Sequence, residues 1–228
     1  MNTDKKDYDA IVVGSGPNGL AAAITLQQAG ISVLLIEAKE TIGGGLRSAP
    51  LTLPFFIHDV CSAVHSLAVN SPFLKTLPLE KHGLNFIYPP VAAAHPFDNG
   101  TAAVLYPSLK QTAQELGEDD KAYRQLMVPT VNNWSRIDQD ILGPLHFPKH
   151  PFKTIGFGLK AFRSAAHLAK RFHSKEAKGL WAGMAAHSML PFSKATSSAA
   201  ALVLMAEAHV KGWPIVQGGS GVLADAMA

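Results

Sequence analysis

The residues with the clearest chemical potential sit near the start of the chain. Gly14-Ser15-Gly16-Pro17-Asn18-Gly19 spells G-x-G-x-x-G, and Glu37 follows Gly19 by 18 residues. In this pattern the first glycine permits a tight turn. The second offers no side chain to block a pyrophosphate, and the third lets the following helix pack closely on the preceding strand. A carboxylate at that distance is placed to accept hydrogen bonds from the ribose hydroxyls of an adenosine. A second glycine cluster, Gly43-Gly44-Gly45, follows with Leu46 and Arg47. It lets more backbone approach a cofactor, and Arg47 is a candidate partner for a phosphate or a substrate acid. The chemistry implied is the binding of a dinucleotide. A simple NAD-binding unit has less need of the second cluster.

These residues require particular elements to carry them. Ala10-Ile11-Val12-Val13, closing the stretch Tyr8 to Val13, is a short apolar run of the kind expected in a strand buried on both faces. Asn18 to Ala29, rich in Ala and Leu, predicts a helix, and Gly30 is a natural stop. The free N–H groups at its start form an anion site. Ser32 to Ile36 predicts a second buried strand that delivers Glu37. The glycine pattern thus has its full context of strand, helix, second strand and acid, which sets it apart from a glycine-rich turn in some other α/β unit.

The pattern E-A-x(4)-G-G, from Glu37-Ala38 to Gly43-Gly44, resembles the FAD-binding start of the glutathione-reductase-like flavoproteins, a superfamily that includes amine oxidases and carotenoid desaturases. The longer run GGGLRSAPLTLPFFIHDVCSAVHSLA, residues 43–68, resembles one branch, the phytoene desaturase-like FAD/NAD(P)-dependent oxidoreductases. So does GWPIVQGGSG at residues 212–221. Many members of that branch carry arginine directly after the glycine pair, whereas here Gly45 and Leu46 intervene before Arg47. The resemblance implies FAD as cofactor, with Gly14, Ser15, Gly16, Pro17, Asn18, Gly19, Glu37, Ala38, Gly44, Gly45 and Arg47 around it. It also implies that the stretch Leu51 to Ala68 passes close to the flavin ring. His58, Asp59, Ser62 and His65 are then candidates for the substrate side, with satisfaction of backbone groups in a turn as the alternative.

Bulk properties narrow the other classes. The 228 residues are 47% hydrophobic and 16% charged, enough apolar material for a sizeable core. The net charge of +3 does not argue for nucleic acid, and no nucleic-acid-binding module is recognisable. One cysteine excludes an internal disulfide and suits a reducing compartment, so the expected location is the cytoplasm. The N-terminus, MNTDKKDYD, shows no apolar signal core and no Arg-rich transit segment. His58, Cys61 and His65 fall short of a zinc-site pattern, and no metal is expected. No nucleophile elbow, HExxH or P-loop lysine motif is present.

The remainder reads as helices with a few strands. Leu84 to Tyr88 and Ala102 to Leu105 predict strands, with a hairpin turn at Asp98-Asn99-Gly100. Ser108 with Gln111 forms a capping box, and Gly117 ends that helix. A further helix runs from Glu118 to about Val128 and continues or restarts after Pro129 through Trp134 to Leu142, its first-turn acids Glu118, Asp119 and Asp120 being expected in solvent. Gly143 to Pro151 reads as a linker or cavity loop. From Lys149 to Lys178 there are eight Lys or Arg residues and one acid, interleaved with phenylalanines. This segment is either a solvated surface helix or a peripheral contact with an anionic membrane. Glu176 to Met189 and Ser197 to Val210 predict two helices, and Ser220 reads as the N-cap of a last one.

The expected fold class is α/β: a Rossmann-like FAD-binding βαβ unit at 1–50, an α+β substrate or cap region rich in helices at 51–210, and at 211–228 a return segment to the FAD-binding domain. Two nameable strands are few for an open sheet, so a truncated chain, completed by a missing C-terminal segment or by a homo-oligomer, is expected. The expected function is an FAD-dependent oxidoreductase, or its N-terminal portion, moving a hydride equivalent between flavin and a mainly apolar or lipid-like substrate. The alternatives are a non-catalytic nucleotide-binding scaffold and an NAD-dependent dehydrogenase. No side chain is assigned as catalytic.

Overall fold

The computed structural model describes residues 7–143 and 146–228. The first six residues, part of the N-terminus expected to lack a leader, and two positions of the loop expected at 143–151 lie outside the described residues. The chain divides into two compact units: one runs to Tyr88 and is joined by Pro214–Ala228, and the other is Pro89–Trp213.

The first unit opens with strand β1 (Ala10–Val13), helix α1 (Pro17–Gln28) and strand β2 (Val33–Ile36). β1 and β2 pair in parallel, Ala10 opposite Val33 through Val13 opposite Ile36. The Asp9 carboxylate closes the far end of the pair by accepting from the Ser32 N–H and hydroxyl. Parallel strands require a crossover, and α1 supplies it. It packs over Val12, and its Leu20 and Ala23 are buried. The other face of β1 departs from the expected double burial. Ile11 is 62% and Val13 81% exposed, because no described element covers the side opposite α1.

Two short pairs follow. Strand β3 (Ser48–Ala49) runs antiparallel to β4 (His58–Asp59). Strand β5 (Phe86–Ile87) realises the core of the strand expected at 84–88.

The second unit begins with the hairpin of β6 (Ala93–Pro96) and β7 (Ala102–Leu105), turned at the expected Asp98-Asn99-Gly100. Seven helices follow: α2 (Leu109–Glu115), α3 (Asp120–Val131), α4 (Trp134–Ile141), α5 (Pro151–Ala161), α6 (Ala165–Ala169), α7 (Lys175–Ala186) and α8 (Ser197–Val210). Serines start three of them. Ser108, Ser164 and Ser174 accept from the N–H groups of Gln111, His167 and Ala177, which satisfies donors that the helices cannot pair internally. The core of this unit gathers Tyr123, Leu126, Met127, Trp134, Leu180, Trp181 and Leu202 between the helices. Gly183 leaves room for the His95 imidazole against α7, and Gly179 does so for Phe97.

One acid reverses its expected setting. Asp119 is buried rather than solvated, and its carboxylate accepts from the His173 N–H, the Ser174 N–H and the Ser174 hydroxyl, at 2.9, 2.8 and 2.6 Å. It serves the start of α7 rather than that of its own helix.

The chain then returns to the first unit through strand β8 (Ile215–Val216), antiparallel to β5, and helix α9 (Gly221–Met227). Leu223, Ala224 and Met227 of α9 pack with Leu20, Leu46, Leu79 and Val216 in that unit's core.

Candidate functional site

The β1–α1 turn is built to leave backbone bare. Gly14 takes φ +94°, in the left-handed region, and its N–H donates to the Ile36 carbonyl at 2.7 Å, so the turn stays fastened to β2. A Cβ at Gly19 would collide with the Gly14 carbonyl oxygen, so α1 can approach the turn this closely only with glycine there. Gly16 is different: its φ of −65° suits any residue, and a Cβ there would enter open space. The first i→i−4 bond of α1 runs from the Leu20 N–H to the Gly16 carbonyl, and Pro17 opens the helix with no N–H to satisfy. This helix start, with no acid in its first turn, is suited to an anion.

Glu37, at the end of β2, turns back onto the glycine loop. Its Oε2 accepts from the Ser15 N–H at 2.9 Å and the Ser15 hydroxyl at 2.6 Å, and its Oε1 accepts from the Lys39 N–H at 3.0 Å. The Ser15 hydroxyl first, then its N–H and that of Lys39, hold the Glu37 carboxyl down to about 2, so it is charged throughout the neutral range. Ser15 is fully buried. Its role as the tether of the acid has no signature in the spacing, because the x positions of G-x-G-x-x-G carry no fixed residue.

The second glycine turn lies directly against the first. The Gly43 N–H donates to the Ser15 carbonyl at 2.9 Å, and a Cβ on Gly44 would come within 3.0 Å of the Gly16 Cα. A single 3₁₀ turn, Gly44–Leu46, buries Leu46 in the core. Arg47 closes this turn, its Nε donating to the Gly44 carbonyl at 2.9 Å. Gly45 accepts from the Ser62 N–H at 3.0 Å. Ala38 lies exposed just after Glu37. The structure therefore brings the glycines of both turns, Glu37 and Arg47 into one continuous stretch of surface and subsurface backbone.

The candidates at residues 58–65 part company. His58 is only half buried, and its Nε2 pairs with the Thr52 hydroxyl at 2.7 Å. Asp59, one residue on in the strand, points the other way. It accepts from the Ser48 hydroxyl at 2.6 Å and the Ser220 N–H at 2.7 Å. The Ser220 hydroxyl donates to the Ser62 carbonyl at 2.6 Å, so it can only accept from His65 Nε2, 2.7 Å away. That fixes the His65 tautomer with its proton on Nε2. Burial pushes the His65 imidazole below its ordinary value, against the pull of Asp59. Asp59, Ser62 and His65 thus converge on Ser220 and anchor the return segment. Ser220 stands at the N-cap position of α9 as expected, but its backbone angles are helical and its side chain makes no cap bond. The first N–H groups there go to Asp59 and to the Ser48 hydroxyl instead. Among the described residues no cluster of three or more His, Cys, Asp or Glu could hold a metal ion.

Comparison with known proteins agrees with this geometry. Residues 12–76 match the family described as NAD(P)-binding Rossmann-like domain. The chain carries a Rossmann-like NAD(P)/FAD-binding domain. One subunit of the limonene dehydrogenase of Castellaniella defragrans is 32% identical over 115 residues, which are 50% of this chain and 20% of that protein. Among solved structures, a putrescine oxidase superposes over 96% of this chain and 48% of its own, with a TM-score of 0.59 at 21% identity. A CLA-producing fatty acid isomerase from P. acnes superposes over 97% of this chain and 49% of its own, with a TM-score of 0.55 at 16% identity. The chain thus spans about half the length of these structural neighbours, and the aligned part a fifth of the curated relative. The likeness to the two structures is one of fold, and the dinucleotide-binding domain is its N-terminal feature in this chain.

Proposed function

We propose that this chain binds FAD and forms the cofactor-binding part of an oxidoreductase related to the phytoene desaturases, acting on a mainly apolar substrate. The observation that carries the reading is the apposition of the two glycine turns. Gly44 rests on Gly16, and Gly43 is bonded to Ser15, so bare backbone extends beyond what one mononucleotide half needs. The open space at the Gly16 Cβ position fits a pyrophosphate at the start of α1. Limonene and a fatty acid, named for two of these relatives, are mainly apolar, whereas putrescine, named for a third, is a polar diamine.

The chemistry a bound flavin would supply is acceptance or return of a hydride equivalent. This chain's residues bind and orient the flavin. The first-turn N–H groups of α1 hold the phosphates. Glu37 holds the adenosine ribose. A carboxylate has about four acceptor positions, and three on Glu37 are already used by Ser15 and Lys39. The Ala38 backbone bonds it as well, so a ribose hydroxyl would take the place of one of these donors. Arg47 keeps the second turn closed through its Nε bond to the Gly44 carbonyl, and its other guanidinium N–H groups are the candidates to meet a phosphate or a substrate acid. Asp59, His65 and Ser220 fix the return helix, so residues 43–65 meet the cofactor as a preformed wall.

The test is titration of purified protein with FAD and, separately, with NAD, read by flavin fluorescence and by calorimetry. Saturable FAD binding with no comparable NAD binding is expected. Preference for NAD would move the reading to a dehydrogenase, and binding of neither would favour a scaffold.

A further inference from the structure

Helix α5 shows apolar residues on two opposite faces. Phe157 and Ala161 are buried against the helical core. On the far side Phe152, Ile155, Leu159 and Phe162 form a stripe at helical spacing, each between 57% and 87% exposed. Phe147, just before the helix, is exposed as well. The loop that follows α7 adds exposed Met189 and Phe192 beside the end of the stripe, tied there by two backbone bonds: the Thr196 N–H to the Phe162 carbonyl and the Ala166 N–H to the Phe192 carbonyl.

The stripe is displayed by a firmly held helix. Asp140 of α4 accepts from the Lys149 and His150 N–H groups and from the Thr154 hydroxyl, capping the start of α5. Lys160 turns inward and donates to the Leu126 carbonyl. Of the cations near the stripe in sequence, Lys149, Lys153 and Arg163 are exposed, as are Lys170, Arg171 and Lys194 further along. From Lys149 to Lys178 the chain holds eight of its 20 Lys and Arg residues against one of its 17 acids, so this stretch carries +7 and the rest of the chain −4. Among the described residues no helix is long and apolar enough to cross a membrane.

We infer that α5 is a membrane-docking element, which lays Phe152, Ile155, Leu159 and Phe162 into the interface of an anionic phospholipid bilayer while Lys149, Lys153 and Arg163 meet the headgroups. Among the described residues nothing covers this apolar stripe opposite the core-facing side. The cations near it in sequence are complementary to an anionic surface and to little else that is apolar. The inference does not rest on the cofactor.

The experiment uses vesicles of pure phosphatidylcholine and of phosphatidylcholine mixed with phosphatidylglycerol in equal parts, with the full chain in co-sedimentation. The protein should sediment with the mixed vesicles and weakly or not at all with phosphatidylcholine. Binding should fall as salt rises, since exposed charges are screened within about 10 Å at 0.1 M. Phe152→Ser with Leu159→Ser, and separately Lys149→Glu with Lys153→Glu, should each lower partitioning at least tenfold. Both pairs should keep the parent's circular dichroism and melting temperature, because these side chains are outside the core. Equal sedimentation with both vesicle types, or undiminished binding by either double variant, overturns the inference. So does a size-exclusion shift from dimer to monomer in the Phe152→Ser, Leu159→Ser variant, which would make the stripe an interface between copies of this chain.

Discussion

Two residues of the glycine loop and one acid make separable claims. Glu37 is charged and tethered, so Glu37→Ala removes a charged acceptor from the ribose and also frees the buried Ser15. A charged hydrogen bond contributes roughly 1.5–3 kcal/mol, so FAD affinity should fall about ten- to a hundredfold, measured by titration into apo-protein. Equal affinity in variant and parent would remove Glu37 from the site. Gly19 and Gly16 should fail in opposite ways. Gly19→Ala drives a Cβ into the Gly14 carbonyl, a backbone atom that no rotamer change can move. It should cost about 1–3 kcal/mol of stability, read as a lower denaturant midpoint. Gly16→Val meets open space at an ordinary φ and should leave that midpoint unchanged. Both glycines were legible from spacing alone, but within the protein sterics dictate only Gly19; Gly16 is required by the pyrophosphate proposed to lie against it. Ser15 was legible only as a cofactor-site residue, and its bond to Glu37 was not, because a side-chain tether across 22 residues follows no period.

At the scale of elements, local rules suffice where the elements are local. The Asp98-Asn99-Gly100 hairpin, the Ser108 cap with Gln111, and α8 at Ser197–Val210 all stand as their sequences imply. The residues that depart from expectation depend on partners distant in sequence. Asp119 serves Ser174, and the Ser220 hydroxyl makes no cap bond because it is engaged by the Ser62 carbonyl and His65, while Asp59 and Ser48 take the first N–H groups of α9. Such long-range polar anchors leave no pattern in a window of a few residues. Asp119→Ala would strand the His173 and Ser174 donors, and its stability should fall by about 1–3 kcal/mol. Thermal unfolding followed by circular dichroism checks this. An unchanged midpoint would mean that the start of α7 finds other acceptors.

The whole molecule should be sensitive to acid in a particular window. His209 of α8 donates from Nδ1 to the Pro107 carbonyl and accepts from the Tyr123 hydroxyl at 2.6 Å through Nε2. Burial pushes its imidazole down to about 4, against the hydrogen bonding at Pro107. The unfolded chain therefore binds a proton that the folded chain refuses, so stability is full above the ordinary histidine value near 6.5 and declines as pH falls towards 4. The loss attributable to this group is about 3 kcal/mol at most. His65 and His95, both held low chiefly by burial, act in the same direction. Denaturant titrations at several pH values should show that slope, and His209→Gln should flatten it. A flat profile in the parent would mean that the histidines reach solvent. The two-unit division and the bare face of β1 were less legible than these sites, because they depend on which faces find cover rather than on any residue's own preference.

The central claim is that FAD lies across the open space at Gly16. Its most direct test is a fluorescence titration of FAD into apo-protein for the parent and Gly16→Val, with circular dichroism of both. The account predicts saturable binding by the parent, no measurable binding by the variant, and superimposable dichroism spectra. A folded Gly16→Val protein that binds FAD as the parent does would contradict it.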